Sequence, residues 1–269
     1  MDPVAEEVLG LLGSGRQTEP FSTRDPAFDL TRAYRAAAAL RQARMAAGER
    51  PVGRKIGFTN CTIWDEYGVH APIWGDVLAG TLRDLADLPG EIPTFDLTGL
   101  AEPRIEPEIA FGLATPPAPG VDDAALLDCI DWIAHGVEIV QSIFPGWRFA
   151  AADTVAAGGL HGALLLGPRH PVGPRRDAWL RELPVFDIAL SCDGAVADRG
   201  TARNVLEGPL SALRHLAGLL AADPGQPPLA AGEVVTTGTL TRALPVARGQ
   251  TWRTELSGID LPGLALRFR

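Results

Sequence analysis

The segment Arg104-Ile105-Glu106-Pro107-Glu108-Ile109-Ala110-Phe111-Gly112-Leu113 alternates with the period of an extended strand. Ile105, Ile109, Phe111 and Leu113 share one parity, and Glu106 and Glu108 share the other. The apolar set therefore faces a core, while both carboxylates leave from the opposite face. Two residues along a strand span roughly 6.5–7 Å, close enough for two flexible side chains to converge on one cation. Pro107 between them carries no amide donor, which predicts an edge strand or a local irregularity. Irregular strands recur beside active sites. On this segment alone, a solvated strand face with two ordinary glutamates is the competing reading.

A third acid shifts that balance. Glu138 lies in His135-Gly136-Val137-Glu138-Ile139-Val140, an apolar stretch in which an unpaired charge is costly. A carboxylate buried there is expected to be paired or on a metal. Three carboxylates form a hard-oxygen set, suited to Mg2+ or Mn2+ and poorly suited to zinc.

Working outward, short apolar runs punctuated by Gly and Pro predict strands on both sides of this segment. They fall at Lys55–Thr59, Ile73–Leu78, Gly136–Gln141, Ala163–Leu166, Val185–Cys192, Val234–Thr239, Thr251–Leu256 and Ala265–Phe268. Asp193-Gly194 supplies the positive φ of a tight hairpin turn. Helices are predicted over Pro3–Leu12, with Asp2 as cap, and from about Asp29 to Ala47, ending at Gly48. Two more are expected, over Asp122–Ala134 and Pro209–Ala222. In the latter, Leu210, Leu213, Leu216, Leu219 and Leu220 recur at helical spacing and read as core. The result is an α+β chain: a helical N-terminal region over residues 1–50 and a β-rich catalytic domain over residues 51–269.

At 269 residues and 46% hydrophobic, the chain can bury a sizeable core. Its formal net charge of -9 disfavours nucleic acid, whose binding needs clustered Lys and Arg. No apolar run approaches the roughly 20 residues of a membrane-spanning helix. The acidic start, Met1-Asp2-Pro3-Val4-Ala5-Glu6-Glu7, is unlike a signal peptide, so a cytoplasmic location is expected. Cys61, Cys129 and Cys192 are scattered and odd in number, which indicates neither a zinc ribbon nor a disulfide framework. There is no phosphate-binding loop, dinucleotide fingerprint, nucleophile elbow or zinc helix.

Lys55 is the only lysine in the chain. Every other strongly basic residue is arginine, so a lysine kept at this position points to chemistry a guanidinium cannot perform, with a chance survivor on a solvated surface as the competing reading. Proton transfer by an amine with a lowered pKa is the obvious case. Trp64, Trp74, Trp147 and Trp252 read as packing residues rather than substrate walls.

Taken together, the motifs resemble the fumarylacetoacetate hydrolase superfamily, in its branch of 2-oxopent-4-enoate hydratases and 4-oxalocrotonate decarboxylases. The resemblance runs through Gly53-Arg54-Lys55-Ile56-Gly57-Phe58-Thr59, Glu106-Pro107-Glu108, the Glu138 strand and Ala152-Asp153-Thr154-Val155-Ala156. It continues in Gly162-Ala163-Leu164-Leu165-Leu166-Gly167, Asn204-Val205-Leu206, Pro209-Leu210 and Gly232-Glu233-Val234-Val235-Thr236-Thr237-Gly238-Thr239. It implies a rolled, mostly β core with a helical N-terminal region, assembled as a homo-oligomer. It also implies that Glu106, Glu108 and Glu138 hold Mg2+ (or Mn2+), that Lys55 is the lysine beside the metal, and that Gly238 and Thr239 contact the ligand.

The implied chemistry is that of a hydratase acting on a small 2-oxo or 2-hydroxydienoic acid. The metal chelates the substrate's carboxylate and 2-oxo oxygen and stabilises an enolate, while Lys55 moves a proton. A decarboxylase or C–C hydrolase on the same scaffold is the alternative, and a non-catalytic partner subunit is another. The chain departs from the family at Ala157-Gly158-Gly159-Leu160-His161, where the hydratases carry a polar Asn-Ala-Ser-like run. It departs again at His70-Ala71-Pro72-Ile73, where they tend to carry an acid. His161, and with it His70, is therefore a candidate acid–base group, although a lone His is more often a hydrogen-bonded structural residue, and Asp153 either orients the site or caps a turn.

Overall fold

The computed structural model describes residues 2–61, 64, 69, 71–223 and 225–269. Three helices open the chain: α1 (Pro3–Leu11), α2 (Phe21–Arg24) and α3 (Leu30–Ala46). The Asp2 carboxylate accepts from the amides of Val4 and Ala5, and Pro3 sits where no donor is needed. Asp29 caps α3 in the same way through the Arg32 amide. The buried faces of these helices, with Val8, Leu11, Ala33, Ala36 and Leu40, share one core cluster with Ile73, Val140, Phe144 and Val155. No helix among the described residues is long and apolar enough to cross a membrane.

Strands then dominate. In chain order they begin with β1 (Pro51–Gly57), β2 (Ile73–Leu78), β3 (Leu82–Asp84), β4 (Thr94–Phe95) and β5 (Arg104–Leu113). Next come β6 (Ile130–Val140), β7 (His161–Leu166), β8 (His170–Pro171), β9 (Asp187–Cys192) and β10 (Ala195–Thr201). The last are β11 (Val234–Thr236), β12 (Leu244–Pro245), β13 (Thr251–Ser257) and β14 (Ala265–Phe268). Interleaved helices are α4 (Asp123–Asp128), α5 (Ala151–Ala156), α6 (Arg176–Glu182) and α7 (Pro209–Ala222). The larger sheet runs β2-β1-β11-β5-β6-β7-β3, with β12 beside β5 and β8 beside β6; the smaller runs β10-β9-β13-β14-β4. The chain thus adopts the expected α+β architecture, a rolled and mostly β core carrying N-terminal helices.

The Leu stripe of α7 behaves as its spacing demands. Leu210, Leu213, Leu216 and Leu220 are buried in the cluster that holds Ile56, Ile109 and Phe111 from the central strands. Each fully buried leucine contributes roughly 1.5–3 kcal/mol, so truncating fully buried Leu213 would cost about 2–5 kcal/mol. At the β9–β10 hairpin, Asp193 and Gly194 have φ of 49° and 87°, the two positive values of a tight turn, and Cys192 pairs with Ala195.

Two expectations need correction. The helix read over Asp122–Ala134 stops at Asp128, and Ile130 already begins β6. Leu126, Leu127, Ile130, Ile133 and Ala134 recur at helical spacing, but pairing along the whole of β5, from Leu113↔Ile130 to Arg104↔Val140, outweighs that local pattern. Of the two readings of Pro107, the edge strand fails, since β6 lies on one side of β5 and β11 and β12 on the other, and the local irregularity holds. Pro107 is tolerated because its backbone points away from β6. Its carbonyl accepts from the Leu240 amide, in the segment between β11 and β12 where the ladder is interrupted. A residue's N and C=O leave a strand on the same side, so the missing Pro107 donor falls in that gap and no β6 bond is lost.

Candidate metal and substrate site

The β5–β6 register sets Glu106 directly opposite Glu138 and Glu108 opposite Gly136. All three glutamates project from one face, and one carboxylate oxygen from each lies within 4.8 Å of the others. This face is not solvated: Glu108 and Glu138 are fully buried, and Glu106 is half-buried at the wall of a cleft. Three acids packed so closely in a dry site repel one another, and burial without compensation is expensive.

An account of the oxygens shows what the cluster is fitted to. Glu108 Oε2 accepts from the Gly238 amide at 2.9 Å, while Oε1 is buried with no hydrogen-bond partner among the described residues. Glu138 Oε1 accepts from His161 Nδ1 at 2.7 Å. Its Oε2 lies 3.2 Å from Lys55 Nζ, without the alignment of a hydrogen bond. Each of these two carboxylates has one oxygen fixed by the protein and one left over, in a set of hard donors. That is the arrangement a divalent Mg2+- or Mn2+-like cation fits.

The electrostatics separate the three acids. Burial pushes the Glu106 carboxyl up to about 7, helped by the Glu138 charge and opposed by Lys55. Glu108 is pushed well above its ordinary value by burial, then by Glu138 and Glu106. Glu138 goes the other way. Burial would raise it, but the Lys55 charge and the His161 contacts together hold it well below the usual carboxylate range. One member of the cluster is thus kept ionised while two hold protons readily.

Lys55 sits on β1, paired with Thr236 of β11 and Gly75 of β2, and is almost completely buried. Its ammonium donates to the Gly159 carbonyl at 2.9 Å. Burial pulls its pKa down, but the charges of Glu138, Glu106 and Glu108 more than offset this and raise it. The lowered pKa anticipated for this lysine is therefore not a property of the carboxylate cluster by itself, which keeps the amine charged.

A partly open cleft lies over these groups. Lys55, Glu106, Gly238 and Thr239 line it, together with Thr59, Asn60 and Thr154. Ile73, Val140, Trp147, Phe149 and Leu160 supply an apolar wall. Gly238, at φ 91°, sits so close to Thr59 that an added Cβ would lie 1.8 Å from Oγ1, and only glycine brings its amide to Glu108. Thr239 lines the cleft while its hydroxyl donates to the Thr241 carbonyl.

Other candidates are placed differently. Asp153 is buried away from the cleft, where it accepts from the Ser22 amide (2.9 Å), the Ser22 hydroxyl (2.6 Å) and the Ala150 amide (2.8 Å). It ties α2 to the start of α5 and cannot touch a substrate from there. His161 is also outside the cleft lining; it approaches Glu138 from behind, and its Nε2 is hydrogen-bonded with the Thr81 hydroxyl at 2.8 Å. His70 lies outside the described residues. Trp147, read as packing, walls the cleft, whereas Trp74 stacks on Tyr34 in a separate cavity. Trp147 reads as packing, and Phe149 gives no signal at all, because the segment after β6 that carries them has no periodicity to read.

The fold is similar to that of a yeast protein of the fumarylacetoacetate hydrolase family, which aligns with TM-score 0.58 at 12% identity, over 81% of this chain and 92% of its own. No family model matches the chain. A 2-hydroxyhexa-2,4-dienoate hydratase of Comamonas testosteroni is 31% identical over 250 residues, 92% of this chain and 90% of that protein. Among solved structures, 4-oxalocrotonate decarboxylase from Pseudomonas putida G7, complexed with magnesium and adipate, aligns with TM-score 0.87 at 25% identity, covering 99% of this chain and 96% of its own. The chain belongs to the family of 2-keto-4-pentenoate hydratases and 4-oxalocrotonate decarboxylases.

Proposed function

We propose that the chain is a divalent-metal-dependent hydratase of a 2-hydroxydienoic acid, or its 2-oxo tautomer, with an uncharged hydrocarbon tail. The observation that carries this reading is the polarity of the cleft. Lys55 and Glu106 are the only charged residues of its described lining, and Ile73, Val140, Trp147, Phe149 and Leu160 give it an apolar wall. Lys55 is the only cation among the described lining residues, and the sequence has no Lys or Arg from 56 to 82. A substrate with a second carboxylate at its tail would meet no other cation among the described lining residues, and stripping that charge of water without a partner is costly.

Glu106, Glu108 and Glu138 are the residues that would hold the cation. When bound, it supplies Lewis-acid polarisation of the substrate's carboxylate and 2-oxygen. Lys55 is the proton-transfer group. It starts as the ammonium, held by the Gly159 carbonyl beside Glu138, and so acts first as an acid toward the carbon chain. Thr59, Asn60 and Thr239 offer polar groups for the substrate head and for the attacking water. The apolar wall orients the diene and limits where water can stand.

The test supplies metal-free protein with Mg2+ and two substrates, an alkyl-tailed 2-hydroxy-2,4-dienoate and its tail-carboxylated counterpart. Loss of diene absorbance should yield a 4-hydroxy-2-oxo acid from the first substrate, and Lys55→Met should slow it about 100–10,000-fold. Release of CO2 from the dicarboxylate with no hydration of the alkyl dienoate would assign the decarboxylase reaction instead.

A further inference from the structure

We infer that His161 is a positioning residue, and that the short segment carrying it clamps the Lys55–Glu138 pair from both sides. This rests on the metal reading above and adds to it a role for His161 and the residues before it. The segment Ala157-Gly158-Gly159-Leu160-His161 links α5 to β7. Gly158, Gly159 and Leu160 have φ of 68°, 71° and 62°, three successive left-handed residues that reverse the chain within one turn. The reversal aims the Gly159 carbonyl at Lys55 Nζ. It also starts β7 with the His161 ring behind Glu138.

The clamp has little room to move. A Cβ on Gly75 of β2 would fall 2.5 Å from the Gly158 carbonyl oxygen, so backbone rests on backbone there. A Cβ on Gly159 would fall 2.8 Å from Lys55 Cδ. The His161 ring is buried and held at both nitrogens. Nδ1 donates to Glu138 Oε1, and Nε2 is bonded with the Thr81 hydroxyl, which reaches the Leu78 carbonyl at 2.9 Å. With Oε1 taken in this way, Glu138 has one orientation, in which Oε2 faces Lys55 and the other carboxylates. His161 is not in the lining of this cleft but in that of the neighbouring Trp74–Tyr34 cavity, and it reaches the carboxylate cluster through Glu138. Outer-shell partners of this kind typically govern metal affinity about 10–100-fold.

Mn2+ titrated into the metal-free full-length protein, with the free ion followed by its paramagnetic resonance signal, tests the assignment. His161→Asn keeps an amide donor near the position of Nδ1. His161→Gln places its amide near Nε2, keeping Thr81 but withdrawing the donor from Glu138. The expected result is a loss of about 10–100-fold in Mn2+ affinity for His161→Gln, affinity near wild type for His161→Asn, and similar melting temperatures for both metal-free variants. Wild-type affinity in both variants overturns the inference, as does an equal loss in both, which would make the ring mere filling. Should either variant fail to fold, Thr81→Val decides in the same titration: weakened Mn2+ binding supports the clamp, and unchanged binding overturns it. Failure of the wild type to bind Mn2+ would instead sink the metal reading on which the clamp rests.

Discussion

Glu106 and Glu138 are direct partners across the β5–β6 ladder. Like charges in that position ordinarily destabilise a sheet. Here Lys55 and His161 keep Glu138 ionised, while burial and the Glu138 charge raise Glu106 to about 7. The strand pair therefore stores a repulsion that a bound cation would relieve.

That repulsion gives a prediction whose sign reverses with metal. At pH 8, Glu106→Gln should stabilise the metal-free protein by ~1 kcal/mol, a rise of about 2–4 °C in melting temperature. In excess Mn2+ the wild type should melt higher, because only it retains the full ligand set. A folded-state pKa raised above 4.5 means the Glu106 proton contributes stability that is fully present below about 4.5 and lost as pH rises through about 7. The gap between variant and wild type should accordingly open across that window. Thermal melts in the same order with and without metal would refute this.

Cation affinity should itself rise with pH. Glu106 and Glu108 both hold protons more tightly than ordinary carboxyls, and a metal must displace them. Below pH 7, Mg2+ binding should tighten about tenfold per pH unit for each proton released. Calorimetry at pH 6, 7 and 8 in buffers of different ionisation enthalpy would show it. Affinity independent of pH, with no proton release, would mean the cluster is already ionised.

A second buried histidine should stay neutral. His135 bonds the Glu108 carbonyl through Nδ1 at 2.9 Å and the Thr254 hydroxyl through Nε2 at 2.8 Å, joining the two sheets. A carbonyl only accepts, so the ring proton belongs on Nδ1. Burial lowers its pKa to about 4. With the folded value below the unfolded one near 6.5, its contribution to stability is present above pH 6.5 and lost as pH falls through about 4. Nitrogen NMR shifts at pH 5.5 should report the neutral Nδ1–H form; an imidazolium signal there would contradict the placement.

Trp147 should set tail length. Its indole donates to the Glu102 carbonyl at 3.0 Å, and Arg104 stacks 4.0 Å above the ring, so the wall is held in place. Trp147→Ala should shift the ratio of kcat/KM toward dienoates with longer alkyl tails, by roughly tenfold or more per added methylene accommodated. Mn2+ affinity should be unchanged. An unaltered substrate ratio would place the tail elsewhere.

Much of this was legible before any coordinates. Alternation in residues 104–113 placed Glu106 and Glu108 on one face, and the apolar neighbours of Glu138 marked it as a buried acid. Composition alone singled out Lys55. What the sequence hid depended on distant partners. Asp153 caps and tethers because Ser22, 131 residues away, comes to meet it. His161 serves Glu138 and Thr81, 23 and 80 residues distant, and no local pattern announces that. The strand at Ile130–Ala134 was hidden because its apolar spacing suits a helix equally well until a ten-residue partner, β5, decides.

The Glu102 clamp has a consequence for how this chain can change over time. Gly146 and Trp147 hang from Glu102, on a loop that follows β6 and shares no residue with the segment holding Lys55 and Glu138. Substitutions at Trp147 are therefore expected to reshape the cleft wall without displacing Lys55 or Glu138. In such an arrangement the cleft wall and the carboxylate cluster can vary independently of one another.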